Sequence, residues 1–139
     1  MKKNNFEVVQ TLIELGLPLD LTKHNGVTAL GVAAHSGNLK MLEYLASAGA
    51  DVNFISQQGI TALFLAVKSN RLDCAKFLVG KGAMIHIGSG YNQEYSPVLF
   101  AVRQGNLPAL LILCEGGQDL DNIKVDQQSL IHFAFEMKN

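Results

Sequence analysis

The chain has 139 residues, 48% of them apolar and 17% charged, with 11 Lys and Arg against 12 Asp and Glu and a formal charge of −1. That length and apolar content suit one packed domain and argue against disorder. With both signs scattered, no basic stripe invites nucleic acid, no polybasic cluster invites a membrane surface, and no apolar run is long enough to cross a bilayer.

In chain order, Met1-Lys2-Lys3 resembles the start of a secretion signal, but Glu7, Gln10 and Glu14 interrupt its would-be apolar core. Residues 4–20 read instead as one helix closed by Gly16, with Pro18 preventing its continuation. A longer unit follows at 25–53. Thr28 stands where a hydroxyl caps a helix, and a small-residue helix containing Ala33 and Ala34 comes next. A break at Ser36-Gly37-Asn38 leads into a second helix with Leu39, Met41, Leu42 and Leu45 at helical spacing, and Gly49 ends it.

The same order recurs at 58–86, with cap Thr61, Ala66, a break at Ser69-Asn70, then Leu72, Ala75, Leu78, Val79 and Gly82. It recurs again at 93–121, with cap Ser96, Pro97 at the first helical position, Ala101, a break at Gly105-Asn106, then Leu107, Leu110, Leu111 and Cys114. Both cysteines, Cys74 and Cys114, are expected on the buried face of their helices. Residues 126–139 match only the first half of a unit, with Ser129 in the cap position.

The periodicity is numerical. Gly16, Gly49 and Gly82 are 33 residues apart, Gly117 follows after 35, and Ser96 to Ser129 is again 33. The motif Asn25-Gly26-Val27-Thr28-Ala29-Leu30, with Ala33-Ala34, Gly37-Asn38-Leu39 and Gly49-Ala50-Asp51-Val52-Asn53, resembles the ankyrin-repeat pattern of G-x-T-P-L-H-x-A-A, then G, then G-A-D-V-N.

The resemblance implies an all-α fold, an ankyrin-repeat α-solenoid of helix-turn-helix units with projecting β-turn fingers. Residues 1–139 form one domain on this reading: half-repeat 4–20, repeats at about 23–55, 56–88 and 91–123, and half-repeat 124–139. The family's Thr-Pro-Leu-His element appears with Gly31, Phe64 and Leu99 at the histidine position, and only Ser129-Leu130-Ile131-His132 keeps it. Apolar contacts from Phe64 and Leu99 are expected to replace that histidine's bonds between repeats.

Neither terminal unit holds a complete helix pair, which leaves Val8, Val9, Leu12 and Ile13, and Ile131, Phe133 and Phe135, open to partial exposure. A piece of a longer array is the favoured reading. A short protein with improvised caps, and a head-to-tail self-contact in which the ends complete one another between molecules, are the alternatives.

Catalysis is not expected. His24, His35, His86 and His132 lack partners at metal-ligand spacing, the capping hydroxyls lack a His-Asp set, and Gly88-Ser89-Gly90 lacks the lysine of a phosphate loop. No cofactor or metal is implied. With two cysteines in apolar surroundings and no disulfide framework, an intracellular place, cytoplasmic or nuclear, is expected.

The resemblance implies a non-catalytic protein-interaction module, a scaffold or adaptor, binding through turn tips and the exposed ends of first helices. The alternative is the recognition segment of a larger enzyme or effector. In the first full unit those places are His24, Asn25, Val27 and His35. In the second they are Phe54, Ile55, Gln57, Gln58, Ile60 and Lys68. The third offers Tyr91, Asn92, Gln93, Tyr95, Arg103 and Gln104. Phe54, Tyr91, Tyr95 and Arg103 are the expected centre, because aromatic and Arg side chains anchor interfaces. The competing expectation has Phe54 and Ile55 packing on the adjacent turn and the tyrosines folding back over a helix. Asn53 matches the asparagine that asparaginyl hydroxylases modify in some ankyrin proteins.

Overall fold

A computed structural model describes residues 5–20, 27–86, 93–116, 124–125, 128–129 and 132. Its helices are α1 (Asn5–Glu14), α2 (Ala29–Ser36), α3 (Leu39–Ser47), α4 (Ala62–Lys68), α5 (Leu72–Gly80), α6 (Pro97–Gln104) and α7 (Leu107–Cys114), with a 3₁₀ turn at Gln93–Tyr95. A two-residue antiparallel pair, β1 (Lys124–Val125) with β2 (Gln128–Ser129), lies after the helices, Lys124 opposite Ser129.

Side-chain caps start these helices. Thr28 Oγ1 accepts from the Gly31 N–H at 3.2 Å and Thr61 Oγ1 from the Phe64 N–H at 3.1 Å. Asn38 and Asn106 cap the second helices in the same way, accepting from Met41 and Ala109. Between first and second helix the chain reverses through one left-handed residue. Gly37 and Gly105 supply it in two units, and Asn70 at φ 56° supplies it in the middle one, where an amide side chain tolerates that region best after glycine.

Helices of seven to ten residues are too short to hold alone in water, so their stability comes from stacking. First helices α2, α4 and α6 pack in one layer; second helices α3, α5 and α7 pack in the other. The α1 helix joins the second layer, with Phe6 edge-on to Tyr44 at 5.3 Å. Ala34, Ala66 and Ala101 are fully buried, and their small volume lets neighbouring helices approach. Leu30, Leu42, Leu63, Leu78, Leu99 and Leu113 fill the core between the layers. The result is an all-α solenoid.

Two expectations are corrected. On α7, Leu107 and Leu111 are 68% and 65% exposed and Cys114 is exposed, while Ala109 and Leu113 point inward. Every residue of that helix is apolar, so spacing alone cannot choose its buried face; register with α5 does, placing Ala109 and Leu113 where Cys74 and Leu78 are buried. Cys74 is buried as expected, and desolvation, reinforced by Asp73, pushes its thiol pKa up.

The second correction is Ser96, which begins α6 without a side-chain cap bond. The donor equivalent to Gly31 and Phe64 is the Leu99 N–H, and in place of it Ser96 Oγ pairs with His86 Nδ1 at 2.8 Å, while the Val98 N–H donates to the Ile85 carbonyl at 2.9 Å. Burial holds the His86 pKa below its ordinary value. Ser129 lies in β2, in extended backbone like the caps Thr28 and Thr61, and the residues that follow it lie outside the described ones.

Candidate protein interface

The turn between α3 and α4 is built by its own polar groups. Ser56 is buried and its Oγ accepts from the Gln58 and Ile60 N–H groups at 3.2 and 3.0 Å, while its N–H donates to the Ile60 carbonyl. Gly59 closes the loop at φ 93°, a conformation a side chain resists. The finger is therefore a pre-formed surface. It presents Gln57 and Gln58 exposed, with Phe54, Ile55 and Ile60 half-buried at its base.

Backbone groups of adjacent fingers are tied by one repeated bond. Asn53 Oδ1 accepts from the Met84 N–H at 2.8 Å and its Nδ2 donates to the Gly82 carbonyl at 3.2 Å. One unit earlier, Asp20 Oδ1 accepts from the Asp51 N–H at 3.3 Å, 33 residues upstream of the Asn53 bond at both ends. Asn53, singled out as a modification candidate, thus also fixes finger register.

Tyr95 is half-buried and meets Phe64 edge-on at 5.3 Å; Phe64 also meets Phe100 at 5.4 Å. Part of Tyr95 therefore folds back on the preceding unit. Phe64 stands where the resembled pattern has histidine, and its ring contacts take over that position's role between units. At the same position in α2, Gly31 leaves a notch: a Cβ there would meet Leu65 Cδ1 at 3.1 Å.

Lys68 and Gln104 are exposed at the ends of α4 and α6, Arg103 is half-buried, His35 is exposed and Val27 half-buried. His24, Asn25, Tyr91, Asn92 and the side chain of Gln93 lie outside the described residues, as do Ile131, Phe133, Phe135 and the loop at 88–90. Sequence reasoning missed a polar network at the turns between paired helices. There Ser69 Oγ pairs with His35 Nδ1 at 2.6 Å, Arg71 Nε donates to the His35 carbonyl at 3.3 Å, and Asn106 Nδ2 donates to Asn70 Oδ1 at 3.0 Å. Its signal was Arg71, which occupies the position of the capping residues Asn38 and Asn106 and makes no cap bond.

At the other end of the stack, α1, α2 and α3 enclose an open groove of about 410 Å³ lined by Val8, Val9, Ala29, Val32 and Ala33 among others. Val8 and Leu12 are each 41% exposed, whereas Met41 and Leu45, 33 residues on, are 7% and 1% exposed. Val9 and Ile13 are half-buried against the core. The groove is the space a first helix fills in the units that follow.

Among the described residues, no three His, Cys, Asp or Glu side chains cluster as metal ligands, and no helix is long and apolar enough to cross a membrane.

Paired helices of this register, capped by Thr and reset by a left-handed residue, agree with a comparison of families: the family model described as ankyrin repeats (3 copies) matches residues 1–89. The chain belongs to the ankyrin-repeat family. Among solved structures, this ankyrin chain is similar to the human ASB11 ankyrin repeat domain, with 26% identity and a TM-score of 0.74 over 93% of this chain and 57% of that one. It thus spans little more than half the length of that relative. No curated protein matches it. Ankyrin repeats are in general non-catalytic protein–protein interaction modules.

Proposed function

We propose that the chain is a scaffold or adaptor module that holds a partner protein across the finger of its second unit and the first-helix ends of its second and third. The observation that carries this reading is the finger itself. Half-buried Phe54 and Ile55 sit beside exposed Gln57 and Gln58 on a turn held by Ser56, an apolar anchor with a polar rim. Ile60 belongs to the finger, Tyr95 lies at the start of the next unit, Lys68, Arg103 and Gln104 stand at the far ends of the first helices, and Tyr91, Asn92 and Gln93 are assigned to the interface from the repeat pattern alone. The test is affinity capture of a native partner with the wild type and with Phe54→Ala/Ile55→Ala. Loss of about tenfold or more in affinity is expected, since an interface anchor is worth about 2 kcal/mol. Unchanged capture by a folded variant removes the finger from the interface.

A second reading, self-association, is favoured by the groove between α1 and α2. Its exposed Val8 and Leu12 correspond to core residues elsewhere in the stack, so a helix supplied by another copy would bury them. Sedimentation over a range of concentrations is expected to show mass rising with concentration, and Val32→Glu, set in the groove lining, is expected to abolish the rise. A single monomeric species at high concentration eliminates this reading.

A further inference from the structure

Among the described residues, the last turns of the first helices α2, α4 and α6 carry a basic side chain at one register position, His35, Lys68 and Arg103; in the half-unit at 126–139 the sequence has Glu136 there. Stacking brings the three onto one edge of the solenoid, the edge formed by the turns between paired helices. Packed helices stand about 8–10 Å apart, so this is a ladder with rungs at roughly that spacing. A cation at a helix C-terminus complements the macrodipole, which accounts for a basic residue in any one helix.

The space between the rungs is a separate observation. Between α4–α5 and α6–α7 lies a cleft of about 540 Å³, and of the three rungs Lys68 lines it. Lys68, Asn70, Gln104 and Asn106 form its polar side; Val67, Leu72, Phe100 and Pro108 form its apolar side. Its polar side is fixed, because Asn106 donates to Asn70. The His35 rung is fixed too, through Ser69 and Arg71.

Charge differs between the two edges. Among the described residues, the helix-pair turns of these two units carry Lys68, Arg71 and Arg103 against Asp73, whereas the finger edge carries exposed Asp20, Asp51 and Glu94 with one exposed cation, Lys81.

We infer that this edge binds an extended acidic segment of a partner protein, with carboxylates at every third residue. A polyproline II strand has three residues per turn and rises about 3.1 Å per residue, so side chains at i and i+3 lie on one side about 9 Å apart, the spacing of the rungs. Carboxylates at i and i+3 pair with Lys68 and Arg103, the preceding one reaches His35, and an intervening apolar side chain lies in the cleft against Leu72, Phe100 and Pro108. The inference rests on the reading that the chain binds protein, and it assigns chemistry to the helix-end part of that surface.

The test is fluorescence anisotropy on the full chain with a labelled synthetic peptide in which Glu recurs at every third residue with Pro and Leu between. An isomer of the same composition with its Glu residues contiguous is the control. The spaced peptide is expected to bind at least tenfold more tightly, with affinity falling as salt rises. Lys68→Glu is expected to weaken it at least tenfold with only a small fall in thermal midpoint, from the reversed charge at the α4 C-terminus, and Gln104→Glu, which places a carboxylate in the same cleft, to weaken it as well. Equal binding of the two isomers, or unchanged binding by Lys68→Glu, overturns the inference. If the peptide does not bind while Phe54→Ala/Ile55→Ala still loses the captured partner, this inference falls and the interface reading stands.

Discussion

Replacing Phe64 with Ala is expected to destabilise the protein by about 3–5 kcal/mol, the usual range for removing a fully packed phenylalanine. Phe64 is 3% exposed, and its ring lies edge-on to both Tyr95 and Phe100. Such pairs add about 0.5–1.5 kcal/mol each beyond the area they bury. The loss falls on the joint between the second and third units, and in a solenoid each unit is held only by its neighbours. Phe64→Leu keeps most of the aliphatic volume and is expected to cost less. Phe64→His restores the residue of the family pattern yet is expected to destabilise, because its ring nitrogens would face two aromatic rings in place of a hydrogen-bonding partner. Urea unfolding measures all three. A cost below about 1 kcal/mol for Phe64→Ala would show that the ring contacts do not carry this joint.

Asn53→Ala is expected to cost about 1–3 kcal/mol, since it removes both bonds between adjacent fingers and leaves the part-buried Met84 N–H without its acceptor. Hydrogen exchange at the Met84 amide is expected to accelerate before the helix amides do. Asn53→Asp should be milder, because Asp20 already fills the equivalent role with a carboxylate oxygen. An Asn53→Ala protein as stable as the wild type, with unchanged exchange at Met84, contradicts the register role. The same side chain is proposed, from the family pattern, as a hydroxylation acceptor. Its amide must let go of Gly82 and Met84 to enter another enzyme's site, so modification should be greatest where this joint opens most easily. Peptide mass spectrometry showing only unmodified Asn53 in cells that contain such a hydroxylase counts against it.

Much of the fold was legible because the repeat sets the same local problem several times. Thr28 and Thr61 cap helices where their position in the period said they would, and Gly16, Gly49 and Gly82 all adopt positive φ. Local signals suffice there, since a capping hydroxyl or a left-handed glycine acts within a few residues of itself. Where the local signal was flat, the expectation failed. Helix α7 is apolar throughout, and only packing against α5 turns Ala109 inward and Leu111 outward. Ser96 has the right residue type for a cap, but a histidine ten residues upstream competes for its hydroxyl.

The candidate interface was legible in place more than in detail. Period and turn composition located the finger that carries Phe54, and helix ends located Lys68 and Gln104. What they omit is which atoms are already engaged: the Tyr95 ring against Phe64, the Asn53 amide against Gly82 and Met84, the His35 ring against Ser69. These contacts join residues about one period apart.

By itself, then, the sequence determined the ankyrin register, the alternation of first and second helices and the positions of the turns, because caps, breaks and apolar spacing are short-range and repeated. The tertiary structure decided which face of α7 is buried, what replaces the histidine at Phe64, and how His35, Lys68 and Arg103 come to share one edge. Those depend on the rotation and spacing of one helix against the next, which side-chain packing between units fixes and no single unit encodes.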